Sequence, residues 1–431
     1  MFRSLLTGLL FSLAAGFLAA QLPQHFEGLE RSKVTYLSTH VAPLATVAGD
    51  STLRLHLPPG HQLNDVLREV RQDLRNLPTI TDATYAIDSL NGQPAAVRWT
   101  IDEGRSRFPL LNVGGVRGNF NYLVGINDIN FRGRGQELTA FYRNNDGEHN
   151  YYLRLRNPHY RGGRWGYALE SRRYAAVEPV YFASGPVAYR YANLSFGLEG
   201  SYTTPDHHVF TLGLSNFYER YRLADPTAET PGPRALNLTK GLVKASHRSG
   251  RLDYHHERLA GSDHLTQLQF VRNLNDGAGF AIGWHDFRHY RLVGRRGNLA
   301  VRLRAGVSTN EDSPFAPFVL DSQVNIRGSG NRIDRGTAQL ILNVEYRHRV
   351  WADSRQRFAT QVVAFSDGGT WRNPGGDLSE LVQGNNVRHF VGAGVRLISL
   401  KAFNALIRVD YGVDVRNTRE RGLVVGFGQY F

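Results

Sequence analysis

Residues 337–350 read Thr-Ala-Gln-Leu-Ile-Leu-Asn-Val-Glu-Tyr-Arg-His-Arg-Val. Leu340, Leu342, Val344 and Tyr346 share one face of an extended chain, and Gln339, Asn343, Glu345 and Arg347 share the other, because strand side chains alternate. The pattern recurs at 298–308, where Leu299, Val301, Leu303, Ala305 and Val307 oppose Arg302 and Arg304. At 404–414, Ala405, Ile407, Val409, Tyr411 and Val413 oppose Arg408 and Asp410. Outward from these segments, alternating runs fill the chain from about residue 119 to Phe431, each ended by turn residues such as Asn144-Asn145-Asp146-Gly147 or Asn275-Asp276-Gly277. They predict strands near 119–128, 135–144, 149–157, 164–174, 187–203, 207–222, 235–247, 250–260, 264–273, 278–290 and 298–308. After a long loop, strands resume near 337–350, 356–368, 387–399, 404–414 and 421–431. An even set of strands of roughly ten residues is what a closed transmembrane barrel requires, and closure removes the edges that lipid would penalise. A β-sandwich shows the same alternation with its polar face in water. The long strands, the aromatics near strand ends, and Phe431 closing a strand with Phe427 on its face favour the barrel. The fold class read here is mainly β: a sixteen-stranded antiparallel barrel over residues 110–431, preceded by a small α/β module.

Composition agrees. The 431 residues carry 51 Lys+Arg against 38 Asp+Glu, with 45 Gly, one Met and no Cys. Without cysteine there is no disulfide, thiolate metal site or cysteine nucleophile. Mean hydropathy is −0.36, and the apolar run at 4–20 has no later counterpart. Only strands, then, would carry the rest of the chain across a bilayer. The net charge of +13 admits nucleic acid, an anionic membrane surface or a basic interior. The arginines are spread one or two per strand, which suits a barrel wall and not a nucleic-acid patch.

Residues 1–20 read as a signal peptide. Arg3 precedes an apolar stretch from Leu5 to Leu18, and Ala19-Ala20-Gln21 offers small residues for cleavage. A membrane-anchoring helix is the alternative. Residues 21–51 show no clear period and are taken as an extension. Residues 52–104 form an α/β module. Leu53, Leu55 and Leu57 alternate as a strand, and Pro58-Pro59-Gly60 breaks it. Leu63, Val66, Leu67, Val70, Leu74 and Leu77 then line one side of a helix. Thr81–Ile87 and Val97–Ile101 follow as strands around Asn91-Gly92. A sheet with a helix on one face and a free edge suits peptide capture by strand addition. A plug or spacer accounts for the same pattern.

The loop before the twelfth predicted strand spans about 25 residues, a length that is usually functional. It contains Ile326-Arg327-Gly328. Folded back into the lumen, Arg327 would need acidic partners to offset its desolvation. Asp367 and Glu345 have the lumen-facing phase and can form charge-assisted bonds to it. Gly328 and Gly330 permit a tight turn against the wall. A loop in extracellular water is the alternative.

Four stretches resemble the BamA/TamA-like superfamily of outer-membrane protein assembly factors and two-partner secretion pores, of the bacterial surface antigen type. Val324-Asn325-Ile326-Arg327-Gly328-Ser329-Gly330 is similar to that family's [VI]-R-G-[FY] loop tip, with Ser329 in the aromatic position. Phe365-Ser366-Asp367-Gly368-Gly369 resembles its F-x-D-x-G strand end, and Asn130-Phe131-Arg132-Gly133-Arg134-Gly135-Gln136 its first hairpin. Gly426-Phe427-Gly428-Gln429-Tyr430-Phe431 resembles its G-x-G-Q-x-F ending. Trp99-Thr100-Ile101-Asp102-Glu103-Gly104 looks like the close of a POTRA domain. The resemblance implies a periplasmic POTRA module, an outer-membrane barrel in a two-membrane bacterium, and contact with lipid, lipopolysaccharide and client polypeptides, with accessory periplasmic proteins as further partners. Ile326, Arg327 and Gly328 would form a lumenal loop tip anchored by Asp367, Glu345, Phe365 and Gly369. Gly125, Gly426, Gly428, Gln429 and Phe431 would form a weak seam and a terminal-strand signal. A passive pore or a surface structural barrel remains open.

No catalytic, cofactor or metal site is expected. His207-His208 and His255-His256 point to opposite strand faces, and H-E-x-x-H, P-loop and G-x-S-x-G motifs do not occur. Non-enzymatic transport is the reading carried forward, with no cofactor and no nucleic acid.

Overall fold

The computed structural model describes residues 21–27, 44–48, 52–56 and 62–431, except 91–92, 117–118, 146, 183, 313–315, 323–324, 331–333, 356 and 402–404. The signal-peptide reading, the Pro58-Pro59-Gly60 break and the Asn91-Gly92 turn lie outside the described residues. Among those described, no helix is long and apolar enough to cross a membrane.

The N-terminal module contains β1 (Gln21–Glu27), β2 (Leu44–Ala48), β3 (Thr52–His56), α1 (Leu63–Arg75), β4 (Ile80–Leu90) and β5 (Gln93–Glu103). The sheet order is β2-β3-β1-β5-β4, with β1 parallel to β5 and the other pairs antiparallel. The helical stripe buries Val66, Leu67, Val70 and Leu74 against Ala83, Val97 and Trp99. Residues 21–51, taken as an extension, instead contribute two strands. Pro23 interrupts the local strand pattern of β1, yet β1 is paired on both sides, so partners rather than period define it.

Sixteen further strands close a barrel in which every neighbouring pair is antiparallel. In order they are β6 (Arg107–Val116), β7 (Asn119–Phe131), β8 (Gln136–Asn145), β9 (Glu148–Asn157), β10 (Trp165–Phe182), β11 (Gly185–Thr203), β12 (Val209–Leu223), β13 (Ala235–His255), β14 (Arg258–Asn273), β15 (Gly279–Val293) and β16 (Gly297–Ser308). After the long loop, which holds the small ladder β17 (Phe318–Leu320) and β18 (Asp334–Gly336), come β19 (Ala338–Ala352), β20 (Phe358–Arg372), β21 (Val387–Ser399), β22 (Leu406–Asp414) and β23 (Arg421–Phe427).

The count of sixteen agrees with the sequence reading, but through two offsetting differences. The wall begins at Arg107, ahead of the expected 119, because Pro109 and Gly114-Gly115 read locally as turn residues while β6 is fully paired along β7. Conversely, the expected strands at 235–247 and 250–260 are one strand and part of the next. β13 passes through Gly250, whose φ of +108° lets it bend without breaking its ladder to β14.

Burial is inverted relative to a water-soluble protein. Leu198, Leu212, Leu268 and Leu397 are exposed on the outer wall, whereas Arg302, Glu345, Arg347, Asp367, Arg396 and Asp410 are buried inside. The module docks on one end of the barrel. Asn76 at the end of α1 accepts from the Tyr254 N–H (3.0 Å) and donates to Asp253 (2.9 Å), and Asp73 pairs with Arg251 at 2.9 Å. The Arg105 N–H reaches the carbonyl of Lys401 (3.2 Å) in the β21–β22 turn.

Candidate functional site: a loop tip held inside the barrel

The described residues of the 309–337 loop leave β16 and fold back into the lumen, where their tip is held by β19, β20 and β22. Arg327 is fully buried. Its main-chain N–H and Nε donate to Asp367 Oδ2 at 3.0 and 2.8 Å, and Nη2 donates to Oδ1 at 2.9 Å. Nη1 pairs with Glu345 and lies 3.9 Å from Asp410. The guanidinium stands 3.8 Å from the Phe365 ring centre and 4.4 Å from that of Tyr430, in range for cation–π attraction. Such a charge persists out of water only with full compensation. Strand geometry supplies it: Glu345 and Asp367 belong to adjacent strands with inward phase, where Asn343 is the direct partner of Asp367. Asn343 Nδ2 binds both Asp367 Oδ1 (2.9 Å) and the Asn325 carbonyl (2.8 Å).

Glycines set how closely the tip approaches. Gly328 has φ +94°, and a Cβ there would stand 2.7 Å from backbone atoms of Gly412 on β22. A Cβ on Gly422 of β23 would likewise stand 2.9 Å from the Gly328 carbonyl oxygen. Gly369 leaves the slot that Ile326 fills, since a Cβ would lie 2.7 Å from Ile326 Cδ1. Ile326 is then buried with Leu320, Ile341, Trp371 and Phe390.

The structure brings together Ile326, Arg327, Gly328, Glu345, Phe365, Asp367 and Gly369. Sequence reasoning missed Asp410, Arg396, Asn343, Tyr430, Gly412 and Gly422. Arg396 pairs with Asp410 at 2.6 Å and reaches Glu345 at 3.5 Å, and Arg347 pairs with Glu345, so the lock extends into a buried network. The lumenal phase of Arg408 and Asp410 was the available signal; strand order around the wall selects which acids converge.

The seam residues require a correction. β23 pairs with β6, and the ladder registers at Val425 opposite Val113, against seven pairs between β22 and β23. Gly125 is on β7, opposite Leu110 and Phe141, one strand in from the seam. It was misplaced because the first strand was not recognised. Gly426 faces the Arg408 guanidinium. The terminal residues also depart from expectation: β23 ends at Phe427, and at Gly428 (φ +80°) the chain turns inward. Gln429, Tyr430 and Phe431 line a cavity of about 420 Å³ with Arg75, Arg248 and Tyr290. Phe431 is therefore lumenal and does not share the face of Phe427. Arg327, Arg408 and Arg347 lie over these rings, so Tyr430 supplies an aromatic partner beside a tip that carries Ser329.

No family model matches the sequence, and no curated protein is significantly similar to it. Solved structures of BamA and CdiB do match in fold. BamA from Haemophilus ducreyi lacking POTRA domains 1–3 aligns with a TM-score of 0.51 at 13% identity, over 94% of this chain and 82% of that one. CdiB from Acinetobacter baumannii gives 0.58 at 13% identity, over 95% and 74%, and CdiB from Escherichia coli 0.61 at 14%, over 95% and 76%. At these identities the likeness is one of fold.

Proposed function

We propose that the chain is an outer-membrane barrel of a two-membrane bacterium that helps polypeptides insert into, or cross, that membrane. The α/β module is a POTRA-type unit standing in the periplasm. The observation that carries this reading is the loop tip locked by Arg327 across β19, β20 and β22, which braces one wall while the β6–β23 seam stays weakly registered. A wall rigid on one side and weak at one pairing is suited to opening there. An incoming client strand would then add to an exposed edge, as edge strands favour. β4, the outer strand of the module sheet, offers a further edge for capture. Likeness in fold to BamA and CdiB adds support.

A second reading is secretion of one partner through the lumen, favoured by the higher TM-scores to the two CdiB structures. It would require the loop to leave the lumen, because the tip and Tyr430 occupy it. Deleting the chain and comparing the outer-membrane proteome separates the two. Depletion of several barrels supports insertion, loss of one secreted protein supports secretion, and an unchanged proteome and secretome would leave a passive barrel.

A further inference from the structure

Three turns at the module end of the barrel carry exposed cations without acids of their own, while the β11–β12 and β13–β14 turns at that end hold Asp206 and Glu257. Arg132-Gly133-Arg134-Gly135 joins β7 to β8, residues 158–164 with Arg161 and Arg164 join β9 to β10, and Gly294-Arg295-Arg296 joins β15 to β16. These three turns hold six exposed arginines and no acid. Among the described residues, none of the six has a carboxylate partner, whereas Arg248 and Arg302 on the inner wall pair with Asp263 and Asp286. Further round the rim, the β21–β22 turn adds Lys401, and 353–357 adds Arg355 and Arg357 against Asp353.

The opposite end differs. Loops 224–234, 274–278 and 373–386 contain Asp225, Glu229, Asp276, Asp377 and Glu380 against Arg234, and loop 415–420 adds Arg416 and Arg419 with Glu420. The positive charge is thus polarised along the barrel axis.

Local geometry repeats from turn to turn. The Arg132 guanidinium lies 5.2 Å from the Phe131 ring centre, Arg161 5.3 Å from Tyr160, and Arg357 6.0 Å from Phe358. Arg132 and Arg161 hold left-handed backbone at φ +60° and +54°, where a non-glycine residue is uncommon. Tyr160, Trp165, Trp351 and Phe358 are exposed beside these turns. An exposed aromatic belt marks where an apolar wall meets headgroups, and the cations sit at that level.

We propose that this rim binds the phosphodiester headgroups of anionic phospholipids in the leaflet on the module side. The inference rests on the membrane orientation proposed above. Turns of three to seven residues spread these arginines around a circumference and not into one shared pocket; Arg296 lines a cavity of about 320 Å³ with Glu257, Arg349 and Trp351. A ring of headgroups, by contrast, surrounds any barrel, and basic residues at a membrane surface attract anionic lipid.

The test uses the full chain purified in a neutral detergent, incubated with equal amounts of phosphatidylglycerol and phosphatidylcholine, and the retained lipid counted by native mass spectrometry. Wild type should retain phosphatidylglycerol in preference by on the order of tenfold, with the preference shrinking as salt rises. Replacing all six arginines by Gln should abolish it, and R295Q/R296Q alone, which leaves the strained turns untouched, should lower it partially. D225N/E229N at the far end should leave it unchanged. Equal retention by wild type, or an undiminished preference in the six-site variant, would overturn the proposal. So would displacement of the lipid by soluble polyglutamate at matched charge, which would mark a protein-facing rim. No client is present in the assay, so its outcome is independent of whether the insertion reading holds.

Discussion

Arg327 grips Asp367 through three donors, with its own main-chain N–H and Nε on one carboxylate oxygen and Nη2 on the other. The side-chain pair fixes where the loop tip sits, and the main-chain bond fixes its orientation. Both partners are fully buried, so removing Arg327 takes away the cation that Asp367 pairs with, whereas Arg327 without Asp367 would still keep Glu345. Replacing the pair together is far less costly than breaking it.

Arg327→Ala should therefore destabilise the lumenal loop by roughly 3–5 kcal/mol, while the wall, held by its own ladders, still closes. The check is heat-modifiable gel mobility: the folded band should persist but convert at lower temperature. Arg327→Lys should rescue only in part, because an ammonium cannot make the bidentate contact. An unchanged transition in both variants would refute the lock.

Gly412→Ala tests the close approach from the wall side. Its Cβ would lie 2.5 Å from the Arg327 carbonyl, and overpacking of this kind typically costs about 1–3 kcal/mol. The loop tip should lift, exposing 309–337 to protease in the folded barrel. Gly368→Ala is the control, since a Cβ there meets only ordinary contacts near 3.8–4.0 Å.

The seam is tested with cysteines in a chain that has none of its own. Val113 and Val425 are directly opposed, so V113C/V425C should cross-link on oxidation, whereas cysteines at Gly125 and Phe427 should not. If the seam is the gate, oxidised barrels should fold but fail to insert clients, and reduction should restore insertion. Equal insertion rates in the two states would transfer support to a passage through the lumen.

Docking of the module should depend on pH. Burial pushes the Asp73 carboxyl up to about 6, Arg251 opposes that shift, and Glu69 and Asp253 reinforce it. An acid with a raised pKa in the docked state contributes most below its ordinary value near 3.8, and loses that contribution as pH rises through about 6. Hydrogen exchange in α1 should accordingly be slower at pH 5 than at pH 7.5, after correction for intrinsic rates, and Asp73→Asn should flatten the difference.

The alternation in 337–350 was enough to assign Leu340 and Leu342 outward and Glu345 and Arg347 inward, because a two-residue period commits every side chain once one face is apolar. The Arg327 partners were legible for the same reason: a guanidinium carried into a lumen must meet acids, and inward phase left few candidates. What residue order could not determine was adjacency around the ring. Gly412, Asp410 and Tyr430 converge on the loop tip only after the sheet closes. β6 is a strand because β7 pairs along its length, despite Pro109 and Gly114-Gly115. Gly250 bends β13 without ending it, since the ladder on either side outweighs one residue's preference. Period and charge are local properties and can be read from the chain. Neighbours in a closed sheet are set by hydrogen bonds between residues far apart in sequence, and those only the tertiary structure decided.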